Sequence, residues 1–235
     1  MLFIMEYLES PLFLIALTFI VYLGAKKLQA ISGWLILNPV LLTIAVLIAF
    51  LKVTGISYEH YYEGGHMIEF WLKPAIVALG VPLYAELKTI REQLLPIILS
   101  QLAGCLTGIV SVIAIAQMLG ASRDIIISLA PKSVSTPIAI EIVTKLGGIP
   151  SLTAAIVVCV GLIGAILGLK VLSFGHIRNP FARSISMGTA AHVIGTSRVA
   201  EINERYGAFA TLGLIINGIL TATLTGPILH MMGVI

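Results

Sequence analysis

Long apolar runs separated by short polar punctuation make up almost the whole chain. The runs fall roughly at Pro11 to Ala25, Gly33 to Leu51, Ile68 to Ala85, Leu94 to Leu119, Ile125 to Val143, Pro150 to Leu172, Phe181 to Val199 and Ala208 to Met231. Between them stand KK at 26 and 27, YEHYYEGGH at 58 to 66, ELKTIREQ at 86 to 93, SRD at 122 to 124 and HIRNPFAR at 176 to 183. A helix needs about 20 apolar residues to cross a hydrocarbon core about 30 Å thick, so the pattern predicts an all-α, polytopic membrane bundle of about six to eight spans. Lys26, Lys27, Lys88 and Arg91 mark cytoplasmic loops, which places the N-terminus and the tyrosine-rich loop outside.

The fifth and seventh runs are interrupted by polar residues and read in two ways. If both cross fully, the loop carrying Arg178 and Arg183 falls outside, against the charge bias. If both dip in and return as re-entrant hairpins, that loop falls inside; the charges favour the hairpins. Shifting the chain by 60 residues sets APKSVSTPIAIEIVTKLG (130–147) on AAHVIGTSRVAEINERYG (190–207). Ala130 then meets Ala190, Thr136 meets Thr196, Glu141 meets Glu201, Ile142 meets Ile202, Gly147 meets Gly207, and Lys145 meets Arg205. Secondary transporters build their sites on internal repeats of this kind, and hairpins would make the two copies inverted.

Composition agrees with the pattern. The 235 residues are 58% hydrophobic and 11% charged, with a mean hydropathy of +1.06; a soluble domain carries about twice that charge. One transmembrane domain is expected over 1–235, with N-terminal helices over 1–120 and a repeat-containing site region over 121–235. The opening MLFIMEYLES bears Glu6 and Glu9 and no small-residue cleavage site, so the first helix is expected to stay. Cys105 and Cys159 lie inside apolar runs and read as packing residues, neither disulfide nor metal site. A net charge of +3 with no basic stripe argues against nucleic acid as partner and fits a lipid bilayer. Walker, dinucleotide, nucleophile-elbow and metal-spacing motifs are missing, so neither an enzyme nor a cofactor is expected.

The chemistry concentrates in LAPKSVSTPIAIE. Pro131 and Pro137 make an unbroken helix improbable; a helix should end near Ala130, and a new one should start with Thr136 as N-cap and Pro137 at its first position. Backbone freed at membrane depth survives only where protein or a water-filled cavity satisfies it. Lys132 at that depth costs roughly 2.5–3.5 kcal/mol on insertion scales, and with Ser133, Ser135, Thr136 and a helix N-terminus beside it the group favours an anion. In the second copy, Gly188 and Gly195 should permit the turn, Thr196 should cap the new helix, and Arg198 offers a fork that matches a carboxylate. His192, aligned with Lys132, is a candidate proton carrier, as are Glu141 and Glu201, which close the copies. Each has a plainer role as well: a snorkelling lysine, a topology arginine, a core histidine, and glutamates paired with Lys145 and Arg205. Asn38-Pro39, Pro74 and Pro82 line a pathway or kink helices; Gly161, Gly164 and Gly168 suit close helix packing; Asn217 bonds across the bundle or contacts a ligand.

NPVLLTI (38–44), KPAIVALGVPLY (73–84), LAPKSVSTPIAIEI (129–142), GGIPSLTA (147–154), GTAAHVIGTSRVAEI (188–202), YGAFATL (206–212) and Asn217-Gly218 resemble the LrgB/CidB family of bacterial inner-membrane proteins. The family also resembles the C-terminal half of the plant plastidal glycolate/glycerate translocator. The resemblance implies a separate small LrgA/CidA-type membrane partner and leaves homo-oligomers open. It carries two functional accounts: holin-like or antiholin-like modulation of murein hydrolase export and autolysis, and transport of small carboxylates such as pyruvate or glycolate. The residues themselves favour transport of a small monocarboxylate or hydroxycarboxylate, with Lys132 and Arg198 holding it, Ser133, Ser135 and Thr136 reading its oxygens, and Thr196 and Asn217 nearby.

Overall fold

The computed structural model describes residues 8–34, 37–71, 74, 77, 78 and 80–235. Among the described residues it is helical, and four helices there are long and apolar enough to cross a membrane. The chain packs as two compact units, Met1–Gly80 and Val81–Ile235.

In the first unit, α1 (Pro11–Ser32) packs on α2 (Pro39–Thr54) and α3 (Tyr58–Phe70). Asn38 caps α2, its side chain accepting from the amides of Val40 and Leu41, with Pro39 as the first helical residue. Asn38-Pro39 is therefore a helix start, because a proline has no amide to leave unpaired there. Of the run predicted over Ile68 to Ala85, residues 72, 73, 75, 76 and 79 lie outside the described ones, and the division between the units falls within it, after Gly80.

The second unit follows from α4 (Gly80–Ala85) and α5 (Leu87–Glu92) with three long helices, α6 (Leu94–Met118), α9 (Pro150–Phe174) and α11 (Glu204–Met231). The two interrupted runs lie between them: α7 (Arg123–Leu129) with α8 (Thr136–Leu146), and α10 (Pro180–Ala200). Neither run crosses. Ser128 Oγ accepts from the amide of Ile149 at 2.7 Å, and Thr153 Oγ1 donates to the Ser128 carbonyl at 3.0 Å. A straight helix from 128 to 149 would hold those residues about 30 Å apart at 1.5 Å per residue. The chain therefore enters through α7, turns at 130–135 and returns through α8 to where it came in. Gly147, at φ 82, lets it swing into α9.

The second hairpin is folded inside α10. Ala191 (φ −122, ψ 15) and His192 (φ 41, ψ −135) leave helical geometry, and the return arm folds back so that Val199 packs with Met187. The outgoing arm runs alongside the first half of α11: Phe181 meets Tyr206 and Phe209 edge to face, Ile185 lies against Gly213, and Thr189 meets Asn217. It runs antiparallel to α9, with Arg183 at Leu169 and Ser173, Met187 at Gly168 and Ala191 at Gly164.

These contacts fix the directions. α6 and α11 are parallel, since Ile97 clusters with Phe209, Cys105 meets Thr221, and Gln117 donates to the Met232 carbonyl; α9 runs the other way. The first hairpin enters from the end holding Arg123 and Lys145. The second enters from the end holding Lys88, Arg91, Lys170, Arg178, Arg183, Arg198 and Arg205. The two re-entrant hairpins thus come from opposite ends and are inverted copies. The expected six to eight spans become four long apolar helices, the shorter apolar α2, and two hairpins among the described residues.

Candidate functional site

The turn of the first hairpin meets the outgoing arm of the second halfway along α11. Asn217 is 1% exposed, and its side-chain amide donates to the carbonyls of Ser133 (3.0 Å) and Thr189 (3.1 Å), so one residue ties both hairpins together. Gln101 on α6 is 2% exposed and exchanges hydrogen bonds with Thr189, Nε2 to Oγ1 at 2.7 Å and Oγ1 to Oε1 at 2.9 Å. A single amide in an apolar helix thereby finds a partner on another element, as membrane depth demands.

A cavity of about 600 Å³ opens beside this junction. It extends from Ser100 and Ala182, in the half of the unit nearer Arg91 and Arg178, to Lys132 and Thr221 near the middle. From the other end it is backed by the cluster of Ile109, Ile113, Ile126 and Ile127. Among the described residues of its lining, Lys132 is the one that carries a charge. Its Nζ donates to the Gly108 carbonyl and to Ser133 Oγ, both at 3.4 Å. The ion pairs among the described residues are Glu141–Lys145, Arg198–Glu201 and Arg205–Glu86, none of which involves Lys132. An ammonium held only by long bonds to neutral oxygens is under-compensated, which a bound anion would relieve.

Lys132, Ser133 and Asn217 come together as the sequence suggested; other expected residues do not. The cap of α8 is Ser135, and Thr136 and Pro137 are its first two helical residues, so the boundary lies one position earlier than expected. Neither Ser135 nor Thr136 lines the cavity. The second break falls at Ala191–His192, upstream of the expected Thr196 cap. Thr196 Oγ1 donates to the His192 carbonyl inside the return arm and caps nothing. Gly188 and Gly195 make no turn: they are contact points where a Cβ would overlap the Ala210 carbonyl or lie 2.6 Å from the Met187 carbonyl oxygen.

Because the turn comes early, Arg198 is carried out along the return arm, where it pairs with Glu201 at 3.0 Å instead of facing Lys132. Glu201 therefore does not pair with Arg205, which bonds Glu86 at 2.9 Å and lies over the Phe181 ring. Glu141 pairs with Lys145 on an exposed face, as the plainer reading had it. His192 is 3% exposed, outside the cavity lining, with Nε2 2.8 Å from the Val157 carbonyl; a carbonyl only accepts, so Nε2 carries the proton. Cys105 is buried and borders the cavity beside Thr221, whereas Cys159 is exposed.

Gln101, Thr189 and Thr221 went unnoticed in the sequence. The signal for Gln101 was its isolation in IILSQLAG, an amide within an apolar run. The hydroxyls of Thr189 and Thr221 looked like ordinary helix residues.

Inverted hairpins meeting between long apolar helices define a multi-pass membrane protein with its polar centre at the hairpin turns. Residues 18–231 match the LrgB-like family, and the chain belongs to that family. It is 35% identical over 219 residues to the holin-like protein CidB of Staphylococcus epidermidis, covering 93% of this chain and 95% of that protein. It is 33% identical over 219 residues to the holin-like protein CidB of Staphylococcus aureus, with the same coverage. To the uncharacterized protein YwbG of Bacillus subtilis it is 36% identical over 205 residues, covering 87% of this chain and 91% of that one. No solved structure matches the chain.

Proposed function

We propose that the second unit is a carrier of small organic anions, a monocarboxylate or hydroxycarboxylate of the pyruvate or glycolate kind. The observation that supports it is Lys132: a cation at a hairpin turn, lining a cavity, with neutral partners only. The carboxylate would displace the long bonds to Gly108 and Ser133, while Ser133 Oγ and the Gln101–Thr189 pair would meet its remaining oxygens. Arg198 has no part in this site. The cation-rich end, by the positive-inside bias, would face the cytoplasm of a bacterial inner membrane, so the cavity would load from that side.

The test is uptake of labelled glycolate and pyruvate into proteoliposomes, with the small LrgA/CidA-type protein supplied as well. Lys132→Ala should bring uptake down to that of protein-free vesicles; unchanged uptake at equal protein content removes the site. Proton coupling rests on His192 alone among the expected groups, since Glu141 and Glu201 are occupied by ion pairs on exposed faces. An imposed pH gradient that leaves uptake unchanged rules it out.

A second reading, holin-like modulation of murein hydrolase export and autolysis, is favoured by the names of the relatives, which stand nearer to it than to any carboxylate. Under it the intact protein takes up no carboxylate in any lipid, and its deletion changes the rate of autolysis.

A further inference from the structure

The shift of 60 residues that relates the hairpins extends to the helices before them. Leu102, Gly104 and Gly108 of α6 fall on Leu162, Gly164 and Gly168 of α9, and Arg123 and Ile125 of α7 on Arg183 and Ile185 of α10. α6 with the first hairpin is one copy, and α9 with the second hairpin is its inverted partner.

The two copies are packed in opposite conditions. In the second the glycine stripe is shut. A Cβ on Gly161 would lie 2.5 Å from His192 Cε1, one on Gly168 2.5 Å from Met187 Sδ, and one on Gly164 would overlap the Ala191 methyl. In the first the stripe is uncovered. Gly108 has nothing within 4 Å of its Cβ position, Gly104 meets Thr189 Cγ2 at 3.5 Å, and both line the cavity. Glycine weakens a helix relative to alanine, and the packing seen here gives Gly108 no contact that a methyl group would disturb. The same shift names the groups that would cover the open stripe: Pro131, the counterpart of Ala191, for Gly104, and Ile127, the counterpart of Met187, for Gly108.

We infer that the protein has a second conformation in which the two stripes exchange roles. α6 closes on Pro131 and Ile127 of the first hairpin, α9 parts from Ala191 and Met187 of the second, and the cavity reopens toward the end bearing Arg123 and Lys145. Gly104 and Gly108 of α6 and their counterparts Gly164 and Gly168 of α9 are glycine because each pair must accept a hairpin in one of the two states, while Gly161 has Gln101 as its counterpart. Inverted repeats supply two such states from one design, and a valine in either stripe biases the pair by excluding the state in which that stripe is closed. The exchange rests on the carrier reading.

The experiment reads conformation without substrate. In full-length protein with Cys105→Ser and Cys159→Ser, a membrane-impermeant maleimide is applied from each side to single cysteines at Ser186, in the present cavity, and at Ile126, its buried counterpart. Gly164→Val should lower labelling of Ser186→Cys and raise that of Ile126→Cys from the opposite side, each by about tenfold. Gly108→Val should keep Ser186→Cys labelled and lower that of Ile126→Cys. Should Gly164→Val fail to accumulate, Gly164→Ala gives the same bias, and adding Ala191→Gly should restore the parental pattern. Labelling that moves the same way in both stripes, or in neither, overturns the exchange. Labelling that alternates while no carboxylate is taken up supports the exchange and removes the substrate assignment instead.

Discussion

The two hairpins solve one problem, turning a chain back at membrane depth, by different means. The first is broken by local chain rules: Pro131 lies in the six-residue turn at 130–135 and Pro137 opens the helix after it, and α7 and α8 are separate helices with their own ends. The second has no proline at its turn and reverses at two residues, one of them a histidine at φ 41. Its reversal is held from outside. The His192 ring seats against Gly161 and bonds the Val157 carbonyl, while Gly188 lets the Ala210 backbone approach. The first hairpin can keep a polar, half-open turn because its prolines and the ends of α7 and α8 set its reversal locally. The second needs close packing to hold its shape, and so its turn residues Ala191 and His192 are buried.

The sharpest way to break this contrast is at Gly188. Gly188→Ala drives a methyl group into the Ala210 backbone, which cannot move aside as a side chain could, and should destabilise by ~3 kcal/mol or more. The counterpart position in the first hairpin, Ser128, already carries a side chain. Thermal unfolding in detergent and membrane abundance both report the outcome, and parental stability would show that the second hairpin is not held by packing.

His192 comes next. A β-branched residue at φ 41 adds backbone strain and loses the bond to Val157, so His192→Val should be about 1–3 kcal/mol less stable than His192→Asn, which tolerates positive φ and keeps a donor. Equal melting temperatures for the two would remove strain as the distinguishing feature. Asn217→Ala tests the junction and leaves the Ser133 and Thr189 carbonyls without their shared donor, at about 1–2 kcal/mol given membrane hydrogen-bond energies. If the hairpins are joined there, protease access should rise at both turns together. The smallest effect belongs to Glu141→Gln on the return arm of the first hairpin: an exposed pair with Lys145, worth under about 0.5 kcal/mol, whose loss should leave unfolding within error.

The same contrast explains what could be read from the sequence. The first break was visible because proline acts within a residue or two of itself, and the prediction erred only in placing the cap at Thr136 instead of Ser135. The second was misplaced by several residues because glycine has two uses, bending a chain and admitting a neighbour. Nothing in GTAAHVIGTSR says which applies; Gly188 and Gly195 turned out to admit neighbours. Arg198 followed that error out of the site, since its expected position depended on a turn near Thr196. Gln101 and Thr189 lie 88 residues apart and become a pair only when α6 meets α10. The inverted arrangement, by contrast, was foreshadowed by the 60-residue shift and by the arginines at 178 and 183.

Ser128 carries a mechanical consequence. Its hydroxyl donates to the Asp124 carbonyl at 2.6 Å and accepts from the Ile149 amide at 2.7 Å, while its carbonyl takes the Thr153 hydroxyl at 3.0 Å. A Cβ on Gly148 would lie 2.7 Å from Val143 Cγ1 and 2.9 Å from Ile127 Cγ2, so there is no slack in the corner. The root of the first hairpin and the head of α9 are thus riveted into a single lever. Whatever tilts one carries the other along, and the bending falls to the joints on either side: the turn at Gly120, where φ is 72, and the loop through His176, where φ is 57.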